Sequence, residues 1–228
     1  LAKPTSIHTA AYTAANSQSH ADGRLFSTTF ERNSPPIIAA LTPWLSGVTG
    51  TVLEIGCGTG QHAGACSLAF PNLRWQTSDP YADHRASARA WATYLRLNTP
   101  APLDLDASGD WAAREDIAQV GGLSAVISMN VIHIAPIAVA HGIISGAGKA
   151  LLPGGVLMFY GPFKRNGSHI GAGNAAFDSG LRAENPDWGI RDSGEIEELG
   201  AEAGLEIAAL QAMPANNRLL VLRKSANT

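Results

Sequence analysis

Cysteine, charge and long apolar runs are all scarce in this chain. Among its 228 residues there are only two cysteines, Cys57 and Cys66. They fall in a loop and on the helix after it, where a small buried thiol suffices, so a reducing cytoplasm is expected. Charged residues make up 15% against 45% hydrophobic, which excludes a disordered chain. The formal net charge of −3 gives no electrostatic reason to expect nucleic acid, because phosphate contacts need clustered Lys and Arg. No apolar run approaches the roughly 18 residues of a membrane span, and no signal-peptide pattern opens the chain. His62 and Cys66 stand four apart on a predicted helix, but nothing nearby supplies further ligands, so no metal is expected. Repeats and linkers are also lacking. The expectation is one α/β domain over residues 24–228, preceded by residues 1–23 as a tail or a lid.

What is present centres on residues 51–61, TVLEIGCGTGQ. Thr51 to Ile55 reads as a buried strand running into a loop with Gly56, Gly58 and Gly60. A helix follows, with Ala63, Cys66 and Phe70 on one face. Glycines at a strand-to-helix turn let a ligand press against backbone and meet amides at a helix N-terminus. Glu54 interrupts the apolar strand, and a buried carboxylate needs a partner. The spacing is G-x-G-x-G, and Gln61 stands where a shifted dinucleotide fingerprint would need glycine, so a nicotinamide enzyme is disfavoured.

Around this loop the pattern alternates strands with helices. The first helix is expected to start at Ser34-Pro35-Pro36 and to bury Ile38, Leu41 and Leu45. A second strand, 73–78, ends at Asp79; helix 82–96 buries Ala88, Trp91 and Leu95. A short third strand spans 101–105, and Asp110-Trp111 opens a helix. Strand 123–129 is nearly all apolar, as a central parallel strand should be. Its extension through Asn130 and His133 leads to a helix from Ile137. A fifth strand, 156–160, is expected to break at Gly161-Pro162-Phe163. Helix 174–184, a capping box at Asp192 to Glu195, and a hairpin of 205–213 with 219–223 complete the reading. The implied fold is a mostly parallel sheet with helices on both faces and a C-terminal antiparallel hairpin.

In open sheets of this kind ligands lie beyond the carboxyl ends of the strands. Asp79, nineteen residues past Gly60, suits two ribose hydroxyls, because both carboxylate oxygens accept; the alternative is an Asp-Pro turn starter. Asp104 and Asp106 end the third strand on one face, with Asp106 nearer the tip; the alternative is a pair of solvated loop acids. Asn130 and His133 leave the fourth strand beside the reacting centre. His133 is a candidate base or orienting group, against a structural histidine. Tyr160 and Lys164 flank the next strand tip, Tyr160 being either core or a wall for an acceptor. Asn174 and Asp178, spaced i, i+4, share a helix face that is either solvated or turned to the same cleft.

The glycine loop with its preceding acid resembles the first motif of class I S-adenosylmethionine-dependent methyltransferases. More narrowly, the chain resembles a family of methyltransferase-like proteins carried as a domain of unknown function. The matching pieces are ERN at 31–33, GTGQHA at 58–63, YGPF at 160–163, WGIRD at 188–192 and MPANN at 213–217. The resemblance implies a Rossmann-like, seven-stranded class I methyltransferase fold. It implies S-adenosylmethionine as cofactor, leaving S-adenosylhomocysteine, held through Glu54, Gly56, Gly58, Gly60, Asp79 and Asp106. Arg32 is a candidate partner for a carboxylate of cofactor or substrate, or else a structural ion pair; Asn130 is placed with the cofactor group. The expected activity is in-line methyl transfer to a small-molecule acceptor, with His133 and Tyr160 at the reaction and Lys164, Asn174 and Asp178 toward the acceptor. The rival is a cofactor-binding module without turnover.

Overall fold

The computed structural model of the chain describes residues 17–226. Of the segment expected to be a tail or lid, residues 1–16 lie outside the described residues. The rest opens a hairpin in which β1 (Ser17–Ser19) pairs antiparallel with β2 (Leu25–Ser27). The following helix, α1 (Phe30–Leu45), starts before the predicted serine cap, so Pro35 and Pro36 lie inside it. The two prolines deprive only the carbonyls of Glu31 and Arg32 of an intrahelical donor, and both of those residues are exposed to water. Ile37, Leu41 and Leu45 form the buried stripe, with the predicted Ile38 only partly covered.

Next come β3 (Gly50–Ile55), α2 (Gln61–Ala69), β4 (Leu73–Ser78) and α3 (Ala82–Tyr94). The hairpin is fastened to this pair of helices. Leu25 N–H donates to Ser87 Oγ at 2.8 Å, and Trp91 Nε1 donates to the Leu25 carbonyl at 2.9 Å. The Arg24 guanidinium lies over the Tyr94 ring at 3.6 Å, where the ring face attracts its charge.

The predicted third strand shrinks to one parallel bridge, Leu103 to Ser78. Leu103 donates to the Thr77 carbonyl and accepts from Asp79 N–H, but Pro100 and Pro102 have no N–H with which to lengthen the ladder. A single 3-10 turn and α4 (Glu115–Val120) replace one predicted helix, and β5 (Leu123–Met129) and α5 (Ile137–Ala150) fall where expected.

The fifth predicted strand is longer than its apolar run: β6 spans Leu151–Arg165 and passes through Gly161-Pro162-Phe163 without breaking. After it come β7 (Ser168–His169), α6 (Ala172–Glu184), β8 (Arg191–Asp192), α7 (Ser193–Glu202), β9 (Leu205–Ala212) and β10 (Asn217–Lys224). At Pro162 the strand changes neighbours, from β10 to β7 and β8, so the proline sits where one ladder gives way to the next. Asp192 Oδ1 caps α7 by accepting Gly194 N–H at 2.9 Å, as the sequence predicts. The β9–β10 turn places Ala215 and Asn216 at φ of +56° and +58°, one position earlier than the Asn-Asn reading.

The main sheet runs β4-β3-β5-β6-β10-β9, parallel through the first four strands and antiparallel on both sides of β10. Six long strands and the Leu103 bridge stand where seven strands were expected. Strand alternation splits the core into two layers. Leu53, Val126, Leu157 and Leu220 face α5; Val52, Ile127, Met158 and Val221 face α1 and α2. The chain leaves β3 toward β4 on one side and returns to β5 on the other, which makes the β3/β5 crevice the topological switch point.

Candidate functional site at the carboxyl ends of the strands

At that switch point β3 enters the glycine loop, where Gly56, Gly58 and Gly60 have φ of +77°, +53° and +82°. Only glycine adopts such angles at no steric cost. Two of the three also permit close packing. A Cβ on Gly56 would lie 2.5 Å from Val131 Cγ2, and one on Gly60 2.5 Å from the backbone Cα of Ala88. Gly58 donates its N–H to Asp79 Oδ2 at 2.9 Å, tying the loop to the end of β4.

Asp79 is 2% exposed, and its other oxygen accepts Tyr81 N–H at 2.9 Å and lies 3.0 Å from His84 Nδ1. A carboxylate offers about four acceptor positions, so this one is three-quarters used by the protein itself. Holding both hydroxyls of a ribose therefore requires one of these donors to turn away. Glu54 lies deeper, 1% exposed, and its Oε2 accepts Trp75 Nε1 at 2.6 Å. Trp75 is the partner that a buried carboxylate demanded. The parallel register of β3 and β4 puts the two side chains on one face, a diagonal neighbour relation readable once the register is known. Burial, reinforced by the charge of Asp79 and opposed by the Trp75 hydrogen bond, pushes the Glu54 pKa up to about 7.

Asp106 is exposed and takes both N–H and O–H of Ser108 on Oδ1, at 2.8 and 2.7 Å. Asp104 instead bonds Arg85 at 3.0 Å. At the tip of β5, Asn130 has φ +58° and donates its N–H to the Tyr160 carbonyl at 2.7 Å. An asparagine tolerates that angle better than most residues, and such angles gather at functional sites. His133 follows, 5% exposed, edge-on to the Phe177 ring at 5.7 Å. Gly161 sits against both: a Cβ there would stand 3.4 Å from Asn130 Oδ1 and from His133 Nδ1. Burial, then the charge of Arg191, pushes the His133 pKa down to about 4, so the imidazole is neutral at neutral pH.

The structure brings Asn130, His133 and Gly161 together and sets Tyr160 on the other face. The Tyr160 hydroxyl accepts from Asn217 Nδ2 at 3.1 Å; burial raises its pKa, opposed by that bond and by the Arg32 charge. Arg32 is exposed on α1, with Nε donating to Asn33 Oδ1 at 3.2 Å. Lys164 pairs with Asp178 at 2.7 Å. Asp178 also accepts His169 Nε2 at 2.9 Å and Ile190 N–H at 2.7 Å. Burial alone would raise the Asp178 pKa, but the bonds from Lys164 and His169 hold it well below the usual carboxylate range. Both oxygens are thus engaged by the protein. Asn174 is buried and donates to the Asn216 carbonyl at 3.2 Å, joining α6 to the β9–β10 turn.

Sequence reasoning left Arg191 without a role. Its guanidinium donates to the carbonyls of Ile132 and Ala135 at 3.0 and 2.6 Å, and Gly189 N–H donates to the His133 carbonyl at 3.0 Å. Residues 188–192 therefore strap the loop that carries His133. Its place inside a distinctive motif was the one available signal.

A mostly parallel sheet with an antiparallel penultimate position, and a glycine loop at its switch point, is the fold of class I methyltransferases. Solved structures share it. An O-methyltransferase family protein from Burkholderia thailandensis has TM-score 0.72 at 17% identity, covering 86% of this chain and 57% of that one. The mitomycin 7-O-methyltransferase MmcR gives 0.69 at 18%, covering 87% and 55%. The O-methyltransferase NcsB1 from neocarzinostatin biosynthesis, solved with S-adenosylmethionine and 2-hydroxy-5-methyl naphthoic acid, gives 0.66 at 18%, covering 85% and 53%. The chain spans little more than half the length of these structures, and identities this low establish the fold alone. Over residues 24–224 the chain belongs to the family described as protein of unknown function, DUF938.

Proposed function

We propose that the protein transfers a methyl group from S-adenosylmethionine to a small-molecule acceptor. The observation that carries this is the convergence of the glycine loop, Asp79, Asn130 and neutral His133 on the β3/β5 switch point. The residues fit the cofactor chemically. Asp79 supplies acceptors for ribose hydroxyls, Asp106 and Asn130 border the same rim, Glu54 supports the loop from below, and Arg32 offers a fork for a carboxylate. The His133 imidazole is uncharged above a pH of about 4, so it adds no positive charge of its own beside a sulfonium. S-adenosylmethionine supplies an activated methyl group, so the protein needs chiefly to bind, align and dehydrate the reactants.

His133 is too weak a base to gain much from Brønsted behaviour. Its role in this reading is to accept a hydrogen bond from the acceptor's nucleophilic atom and hold it in line. Tyr160 stands on the opposite face of the same strand tip, bonded to Asn217, and Lys164, Asn174 and Asp178 shape the α6 side. The acceptor is a small O, N or S nucleophile, consistent with a chain of net charge −3. Free, buried Cys57 and Cys66 fit a cytoplasmic setting, and no helix among the described residues is long and apolar enough to cross a membrane.

The engagement of Asp79 by three protein donors favours one rival, a module that binds the cofactor without turning it over. A thermal-shift panel of S-adenosylmethionine, S-adenosylhomocysteine, NAD and NADP, followed by a labelled-methyl screen across small acceptors, separates the readings. Stabilisation by the first two with label transfer supports the enzyme; stabilisation without transfer supports the module. No shift with either sulfur ligand refutes both.

A further inference from the structure

Among the described residues nearly every arginine side chain is engaged. Carboxylates, carbonyls, an amide or an aromatic ring hold Arg24, Arg85, Arg114, Arg165, Arg182 and Arg191, and likewise Arg32, Arg218 and Arg223. Arg74, Arg89 and Arg96 are the exceptions: all three are exposed, and none has a hydrogen-bond, ion-pair or ring partner for its guanidinium. These three line a single feature. Arg89 borders a cavity of about 180 Å³ between α2 and α3. Arg74 and Arg96 border an adjoining groove of about 730 Å³ along the start of β4. The two spaces share Ser67, Leu97, Thr99 and Pro100 as walls, so they lie side by side.

No carboxylate lines either space, although acidic residues outnumber Lys and Arg by 19 to 16 in the chain. Unpaired guanidinium groups gathered without a counter-charge produce a local positive field, which a cleft focuses. The remaining polar lining is hydroxyl and amide, from Thr93, Asn72 and Asn98 among others, and supplies neutral hydrogen bonds around an anion. Arg96 also occupies a left-handed position, φ +55°, just past the end of α3, with its N–H on the Thr93 carbonyl. Glycine is the usual occupant of such a helix exit, so an arginine there carries a backbone cost.

We propose that this groove binds a phosphate-bearing small molecule, with Arg74, Arg89 and Arg96 reading its phosphate oxygens. The planar guanidinium fork matches phosphate bidentately, and the groove falls in the size range of small-molecule sites, roughly 300–1,000 Å³. A polyanionic nucleic acid would extend past the three arginines onto a chain that is net acidic, so a compact ligand is favoured. The site abuts the glycine loop from behind, since Gly60 and Ala88, the pair in tight contact, also wall the inner cavity. It does not depend on the methyl-transfer reading.

The test is calorimetric titration of the full chain with inorganic pyrophosphate and with orthophosphate at fixed ionic strength. Pyrophosphate should bind more tightly than orthophosphate, and Arg74→Gln/Arg96→Gln should weaken it by roughly tenfold or more through loss of two charge-assisted contacts. Arg218→Gln, outside the groove, should leave the affinity unchanged. All three positions are exposed or partly so, and circular dichroism with a melting curve confirms that each variant is folded. The proposal is overturned by absence of binding at millimolar pyrophosphate, by equal affinity in the double variant, or by an equal loss in Arg218→Gln. Tighter binding of a single-stranded RNA oligonucleotide than of pyrophosphate overturns it as well.

Discussion

Replacing Glu54 with glutamine should stabilise this protein, and only on the alkaline side. The carboxylate is 1% exposed, so its charged form is penalised by burial and by the neighbouring Asp79 charge, with the Trp75 bond a partial offset. Folding raises its pKa from 4.5 to about 7. A raised folded value means that the contribution is fully present below the unfolded pKa and is lost as pH climbs through the folded one. The shift, 7 − 4.5, is two and a half units; at about 1.36 kcal/mol per unit the loss is roughly 3 kcal/mol across that window. Glu54→Gln keeps the shape and an acceptor for Trp75 Nε1 but has no proton to lose. Urea unfolding followed by tryptophan fluorescence should therefore show wild type and variant nearly equal at about pH 4, and the variant more stable by roughly 3 kcal/mol at about pH 8. Parallel stability curves across that range, or a variant weaker than wild type at the alkaline end, would refute the reasoning.

Other consequences can be checked alongside. The Asp178 carboxyl, held below the usual range, stabilises the fold above the ordinary carboxylate pKa, and that contribution fades as pH falls through its lowered value. Asp178→Asn, which strands the 17%-exposed Lys164, should cost about 3 kcal/mol at neutral pH and progressively less in acid, read from denaturant midpoints; an unchanged midpoint contradicts this. Gly60→Ala should destabilise by about 2 kcal/mol, because the new methyl meets the Ala88 backbone at 2.5 Å and the residue is held at φ +82°; a neutral thermal midpoint would show that α3 gives way freely. His133→Ala should lower methyl transfer by roughly tenfold or more while leaving S-adenosylmethionine affinity unchanged by calorimetry; loss of affinity instead would move His133 into the cofactor site.

Much of this architecture is legible without coordinates because apolar periodicity is a local signal. β5 appears at its predicted limits, 123–129, since a central parallel strand is apolar on both faces. Prolines misled in two directions. Pro35 and Pro36 read as a helix start yet lie inside α1, and Pro162 reads as a break yet lies within β6. In each case what decides is which neighbour needs the missing N–H, a tertiary fact. Strand-end logic singled out Gly58, Asp79, Asn130 and His133; in the fold Gly58 is tied to Asp79, and Asn130 and His133 both stand against Gly161. The same logic could not say that the Asp79 and Asp178 oxygens are largely engaged from within, because Tyr81, His84, Lys164 and Ile190 reach them only once the chain has folded.

The docking of the N-terminal hairpin bears on the order in which the molecule assembles. Its anchoring bonds join Leu25 to Ser87 and Trp91, 62 and 66 residues downstream, and Ser27 to Gln61, 34 downstream. A ribosome delivers this ribbon before its anchors, the last of which emerge only when α3 does. Closing so long a loop early costs entropy with little return, so β1 and β2 must idle until Trp91 has been made. The backing of the glycine loop is then sealed by a segment made before the loop and docked after it.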